Sequence, residues 1–375
     1  MLRPTLSMTC LAGLLLAACG GAASPAPASQ SAAANAPVSV QASAKPAAST
    51  SSAKPAASAG AAAASGSAAA KPAASGLTNV VASYSNVAGV YIPWWIAQDE
   101  GIFAQNGLSV DMKFMAGATT TAAMLANEVE FGSIGGGDVI SAAANGADFV
   151  IVGVIVPTYT FIIEANQSIK QPADLNGKSV GVSTLGSASD IGTRVGLRKL
   201  GIDPKNVRIV QEGTPVNATA AMVGGAIEAA TISPPENVKL NRQGFHDLID
   251  LSQLGLPAST NTLTVRKSWY ATHHDVAQKF IDSLVQGVAK AKKDKAATIK
   301  VIQKYLKYGD DAMDQTTYSY YVGSVFPALP YPKADQFKDA QDELAVNNEK
   351  LRGFDVSSIF DPSLVQSAAD RGLDK

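Results

Sequence analysis

Four short stretches of this chain place small, hydroxyl-bearing or acidic side chains where a strand pattern gives way to a helix pattern. They are Gly135-Gly136-Gly137-Asp138, Ser183-Thr184-Leu185-Gly186-Ser187-Ala188-Ser189-Asp190, Gly213-Thr214-Pro215 and Ile232-Ser233-Pro234-Pro235-Glu236. Open α/β sheets bind ligands at the carboxyl ends of their strands, because each following helix offers unpaired N–H groups and roughly half a positive charge. The chemistry this suits is capture of an anionic or hydrogen-bond-accepting group. Each stretch also has a local reading. Ser187 with Asp190, and Ser233 with Glu236, have capping-box spacing; Pro234 suits the first helical position, and Thr214 before Pro215 reads as a plain cap. Three consecutive glycines are harder to assign to capping, since their entropic cost fits close backbone approach to a ligand. Asp138 and Asp190 fall in first helical turns, where they either neutralise the helix ends or receive a cationic group. An anion and a zwitterion both stay open.

Little else in the sequence offers chemistry. Both cysteines, Cys10 and Cys19, lie in the first twenty residues, leaving no later thiol for a nucleophile, cluster or disulfide. The histidines are His246, His273 and His274, without metal-ligand spacing, so no metal and no cofactor is expected. Asn176-Gly177-Lys178-Ser179 resembles the tail of a P-loop, but Pro172 stands where its first glycine belongs. Gly181-Val182-Ser183-Thr184-Leu185 fails the nucleophile elbow at its last position. The 30 Lys+Arg and 31 Asp+Glu of the 375 residues divide unevenly. Residues 1–76 carry Arg3, Lys45, Lys54 and Lys71 and no acid, leaving 26 basic against 31 acidic over residues 77–375, a net of −5. A mildly acidic body argues against nucleic-acid binding.

The elements that must position the four turns alternate strand and helix. Strands are predicted at Asn79–Ser85, Leu108–Phe114, Phe131–Ile134, Lys178–Ser183, Val207–Gln211 and Ala229–Ile232. The continuous apolar run Phe149–Val156 predicts a strand buried on both faces. Helices are predicted over Val90–Glu100, about Thr119–Asn127, from near Asp138, and repeatedly beyond Val276. Trp94 and Trp95 point about 100° apart on a helix, so one is expected in the core and the other at a cleft. This is an α/β fold with mainly parallel sheets, and about 300 residues call for two lobes.

The N-terminus reads as an address and a tether. Arg3 precedes a short apolar run, too short to span a bilayer, that ends in Leu16-Ala17-Ala18-Cys19-Gly20. That ending resembles a bacterial lipobox: residues 1–18 form the signal peptide, and Cys19 is the lipidated first residue of the mature protein. Residues 19–76 are mostly Ala, Ser, Pro and Gly, with Ala-Lys-Pro-Ala-Ala-Ser recurring at Ala44, Ala53 and Ala70, and read as a disordered tether.

Four segments, in order, carry a family resemblance: Trp95–Val110 (Trp-Ile-Ala-Gln-Asp-Glu-Gly-Ile-Phe-Ala-Gln-Asn-Gly-Leu-Ser-Val), Asn127–Gly132, Asp174–Val182 and Gly224–Ala230. Over about residues 78–330 the chain resembles the nitrate/sulfonate/taurine-type solute-binding proteins of ABC importers, a group that includes thiamine-precursor binders. The resemblance implies a type II periplasmic-binding fold, with lobe 1 at 77–160 and 262–375, lobe 2 at 161–261, and hinge strands near Pro157–Phe161 and Thr260–Val265. It places the pocket on Ser85, Tyr91, Gly136, Gly137 and Asp138 in one lobe and on Thr184, Gly186, Ser187, Ser189, Thr214, Asn217 and Ser233 in the other. It implies a monomer, no enzymatic activity, and as partners a small solute, permease and ATPase subunits, and a membrane through the lipid. Thiamine-pyrimidine synthases share this fold but rely on a cysteine-rich motif that is missing after Cys19. A tethered sensor lobe is not separated from an importer subunit by sequence.

Overall fold

The strand and helix signals resolve into two five-stranded sheets. The computed structural model describes residues 76–85, 87–115 and 117–375; the signal, Cys19 and nearly all of the tether lie outside them. The first stretch of chain forms β1 (Thr78–Tyr84), α1 (Ile92–Asp99), α2 (Ile102–Gln105), β2 (Leu108–Phe114), α3 (Gly117–Leu125), β3 (Phe131–Ile134), α4 (Gly136–Ala144) and β4 (Phe149–Thr158). Then come β5 (Ile162–Ala165), β6 (Ser179–Val182), α5 (Ala188–Lys199), β7 (Arg208–Gln211), α6 (Pro215–Val223), β8 (Ala229–Ile232), α7 (Glu236–Asn241) and β9 (His246–Asp250). The return comprises β10 (Pro257–Arg266), α8 (Lys267–Tyr270), α9 (His274–Lys293), α10 (Lys295–Leu306), α11 (Asp311–Thr317), a π-helix (Tyr318–Val325), α12 (Asp335–Leu344) and α13 (Ser363–Asp370).

The first sheet is ordered β2-β1-β3-β10-β4 and the second β7-β6-β8-β5-β9. In each, four strands point one way and one is reversed, β10 in the first and β5 in the second, so the sheets are mainly parallel. The chain passes between sheets at residues 159–161 and returns through 251–256; Thr260–Val265 lies inside β10, already paired in the first sheet. β4 is buried along Phe149–Val156 although it sits at a sheet edge. Its outer side is covered: Val154 N–H donates to the Pro330 carbonyl (2.8 Å) and Asp361 N–H to that of Ile151 (3.0 Å). Covering an edge in this way removes a template for unwanted pairing.

Neither tryptophan borders a cleft. Trp94 packs edge-on against Phe280 (5.2 Å) and Trp95 stacks flat on Tyr305 (4.7 Å), both fully buried, because α9 and α10 cover opposite flanks of α1. A second apolar cluster runs from Ile134 and Val139 through Tyr159 to Ile163, Val180 and Ile191, so the two sheets share packed core.

The sheets also repeat one another. β2–α3–β3 and β7–α6–β8 flank β1 and β6 in the same order, and their helices carry Thr121-Ala122-Ala123-Met124-Leu125 and Thr219-Ala220-Ala221-Met222-Val223. Met124 and Met222 are both buried, as are Val129 and Ile227 after them. Glu130 then accepts the Val81 N–H (2.7 Å), and Glu228 that of Ser179 (2.9 Å), tying their turns to β1 and β6. Among the described residues no helix is long and apolar enough to cross a membrane.

Candidate functional site

The turn after β3 and the turn after β6 meet. Gly135–Asp138 after β3 and Gly186, Ala188 and Ile191 after β6 surround one cavity, with Tyr159 of the first crossing segment, Ser259 and Thr260 of β10 and Ala340 of α12. Its volume is about 20 Å³, room for one water and not for an organic molecule.

α4 begins at Gly136, two residues before the expected start, so two of the three glycines are helical. Their lack of a side chain serves α12. A Cβ at Gly136 would overlap the Ser259 side chain and stand 2.8 Å from Phe337 Cε1; one at Gly137 would lie 3.1 Å from Leu344 Cδ1 and 3.4 Å from Ile191 Cδ1. Gly186 is a glycine for another reason: its φ of +83° is left-handed.

The capping box expected at Ser187 and Asp190 does not form. Ser187 Oγ joins a triangle with Ser183 Oγ (3.1 Å) and Ser189 Oγ (3.0 Å), while Ser189 Oγ accepts the Ser183 N–H (3.1 Å). The Asp190 carboxylate turns back to the Gly186 N–H (2.8 Å) and pairs with Arg194 Nε (2.8 Å), so it is already neutralised. Thr184 is exposed beside this triangle. Asp138, also exposed, is crowded enough by protein that desolvation raises its carboxyl above the usual range. Burial likewise raises Asp339 on α12.

Tyr91 is fully buried and its hydroxyl gathers four polar groups: the Ser85 N–H (3.0 Å), Ser85 Oγ (3.0 Å), Ser133 Oγ (3.2 Å) and Asn261 Nδ2 (3.0 Å). Ser133 Oγ also donates to Asn261 Oδ1 (2.6 Å). Ser133 and Asn261 were not among the residues singled out from sequence; both lie mid-strand, where a polar residue facing inward has no flanking turn to mark it.

Thr214 and Asn217 lie outside the cavity. Thr214 Oγ1 accepts the Asn217 N–H (3.2 Å) as the cap of α6, and Asn217 Nδ2 donates to the Glu212 carbonyl (3.0 Å). The capping box expected at Ser233 and Glu236 is absent too. α7 starts only at Glu236, after a cis Pro234–Pro235 bond, and Glu236 pairs with Lys239 (2.9 Å) instead of reaching back.

Two segments of the return chain stand between the sheets. α12 fills the space between the post-β3 and post-β6 turns, and its Glu343 pairs with Arg198 of α5. Tyr321, fully buried, faces Gly89 in the turn between β1 and α1 and donates to the carbonyl of Pro234 in the turn after β8 (3.2 Å). Asp310 pairs there with Arg242, which pushes its carboxyl down to about 2. Among the described residues no group of three or more His, Cys, Asp or Glu could hold a metal.

A family profile described as NMT1/THI5 like matches residues 86–297. No curated protein matches. Among solved structures, the chain is similar to the alkanesulfonate-binding protein SsuA from Xanthomonas axonopodis pv. citri bound to MOPS: 20% identity, 80% of this chain and 99% of that one, TM-score 0.60. It is similar to the periplasmic nitrate-binding protein NrtA from Synechocystis PCC 6803: 13% identity, 79% and 89% covered, TM-score 0.58. A Candida albicans protein with the generic periplasmic binding protein fold aligns at 16% identity over 78% and 95%, TM-score 0.57. At these identities what is shared is the fold, that of the periplasmic binding proteins.

Proposed function

Because the chain belongs to the NMT1/THI5-like family, we propose that it is the extracytoplasmic solute-binding subunit of an ABC importer, tethered through a lipid on Cys19. β1–β4 with β10 and the chain after it form one lobe and β5–β9 the other, so the return boundary falls at 251–256 instead of the expected 261. The solute is a small organic molecule with an acidic or strongly accepting group, and its capture between the lobes selects a closed form that the permease reads.

The observation that carries this reading is the meeting of two helix N-termini, those of α4 and α5, at one cavity formed from both sheets. Both ends present N–H groups and positive partial charge to the same point. Asp190 is spent on Arg194 and Gly186, so an amine on the solute would find its partner at Asp138. Two of the similar structures are a sulfonate-binding and a nitrate-binding protein, which agrees with an anion. Binding pockets for organic ligands hold roughly 300–1,000 Å³, so the lobes must part before a solute enters, pivoting on the crossing segments.

The test is a thermal-shift screen of nitrate, sulfonates, carboxylates, amino acids and pyrimidines. A ligand at 100 times its Kd adds about 2.7 kcal/mol. A hit among the acceptor-bearing compounds, weakened by Ser187→Ala, supports the reading; a best ligand that is an uncharged hydrocarbon removes it.

A further inference from the structure

This inference rests on the lipid tether of the importer reading and concerns how the body lies when no permease holds it. The body carries a net charge of −5, yet residues 290–307 hold seven lysines and one acid, Asp294, a net of +6. They form the end of α9 and the whole of α10, and both helices pack on α1. Part of that charge is met locally. Lys290 pairs with Glu100 (3.5 Å) and Asp294 (2.8 Å), and Lys304 with Asp99 (2.6 Å). Lys292 donates to the Phe326 carbonyl (2.7 Å), and Lys295 lies over the Tyr318 ring (5.0 Å). Lys293, Lys300 and Lys307 are exposed and make no ion pair among the described residues. Two hollows that share Glu100 join the lysines into one face: Lys290, Lys293 and Lys375 line the first, Lys300 and Lys304 the second. Along α10, Lys300, Lys304 and Lys307 recur at helical spacing.

The face stands where the chain enters the body. The Thr78 N–H, at the start of β1, donates to the Gly107 carbonyl (2.9 Å). Asn106, the residue before Gly107, donates to Ser283 Oγ (3.0 Å) and Gln286 Oε1 (2.8 Å) of α9. Lys290 and Lys293 follow Gln286 by one and two helical turns and line the same hollow. Residues 19–76, which lead to Thr78, add Lys45, Lys54 and Lys71 and no acid. None of the residues of this face lines the solute cavity.

We propose that the end of α9 and the length of α10 form a basic face that rests on the anionic phospholipid headgroups of the membrane holding the Cys19 lipid. A tether keeps its body at an effective concentration of roughly millimolar, so a weak contact suffices. Each lysine near an anionic bilayer strengthens association about fivefold, and salt screens it.

The experiment co-sediments the chain from residue 19, carrying Cys19→Ser so that no acyl chain contributes, with phosphatidylglycerol or phosphatidylcholine vesicles. This parent is expected to bind the first and not the second, and to be released at about 0.5 M salt, where charges are screened within about 4 Å. Lys293→Glu combined with Lys300→Glu should weaken binding at least about twentyfold. Lys199→Glu combined with Lys205→Glu changes the net charge equally, on exposed lysines of the other lobe, and should bind as the parent does. Melting checks the fold of each variant. The proposal is overturned if the two double variants bind alike, if the parent does not distinguish the two lipids, or if salt releases nothing. It is also overturned if Lys45→Gln, Lys54→Gln and Lys71→Gln together abolish binding, since the lysines before the body would then hold the lipid. Lipidated wild type that fails to partition into detergent removes the tether reading, and this proposal with it. Normal partitioning with indifferent face variants removes the face alone.

Discussion

Adding one methyl group at Gly136 and one at Gly137 should have unequal consequences. At Gly136 the new Cβ overlaps Ser259 and presses on Phe337, both buried, one on β10 and the other on α12. Neither can move without disturbing the seat of α12, and overpacking of this kind costs about 1–3 kcal/mol. At Gly137 the new Cβ meets the ends of Leu344 and Ile191 at 3.1 and 3.4 Å, which can yield by tenths of an ångström. Replacing a helical glycine by alanine returns roughly 0.5–1 kcal/mol, enough to offset that small strain. Gly136→Ala should therefore be destabilised by about 2 kcal/mol and Gly137→Ala by less than about 0.5 kcal/mol. For a body of about 300 residues, with an unfolding entropy of roughly 2.1 cal/mol/K per residue, the difference corresponds to about 2–3 °C in Tm. Differential scanning calorimetry of the two variants beside wild type reads it directly. If Gly136→Ala melts with wild type, or Gly137→Ala loses more than Gly136→Ala, α12 is not seated against the glycine turn as described.

Three further outcomes follow from the same reasoning. In its bacterium the protein should partition into detergent, and Cys19→Ala should abolish this; wild type released free after cleavage elsewhere would refute the anchor. Deleting residues 25–74 should leave the Tm unchanged, since a segment of that composition adds no core contacts, whereas a drop of several degrees would show that it packs on the body. Glu164 is buried opposite Asp247 across β5 and β9, and burial first, then Asp247, pushes its carboxyl up to about 10. Between about pH 4.5 and 10 the unfolded chain therefore binds fewer protons than the folded one, and stability falls as pH rises, by on the order of 3 kcal/mol by pH 7. Glu164→Gln should flatten that slope in urea titrations from pH 5 to pH 8; an unchanged slope would place the proton elsewhere.

The periodic part of the fold is readable from sequence. Leu108–Phe114, Phe131–Ile134 and Ala229–Ile232 are bounded as strands by their apolar pattern and the glycines or acids beside them. What the pattern misses is competition from residues far along the chain or on the next helical turn. Ser187 and Asp190 have capping spacing, yet the Ser183 hydroxyl and Arg194 take their side chains. Trp94 and Trp95 cannot share one environment on a bare helix, but α9 and α10 supply a buried one to each. Nothing in Asp335–Leu344 marks it as the helix that fills the space between the two glycine turns, because its small and apolar residues look like those of any amphipathic helix. The repeat of Thr-Ala-Ala-Met is visible in the sequence, but that its two copies sit on matching strand–helix–strand units is settled by the sheet order.

The central claim is that a solute is held between the post-β3 and post-β6 turns. A crystal structure with the strongest thermal-shift hit tests it most directly. The solute's acidic or accepting group should lie within about 2.7–3.2 Å of N–H groups from both Gly136–Gly137 and Ala188–Ser189, with α12 or the second sheet displaced to make room. A solute bound elsewhere, with the 20 Å³ cavity unchanged, would contradict it.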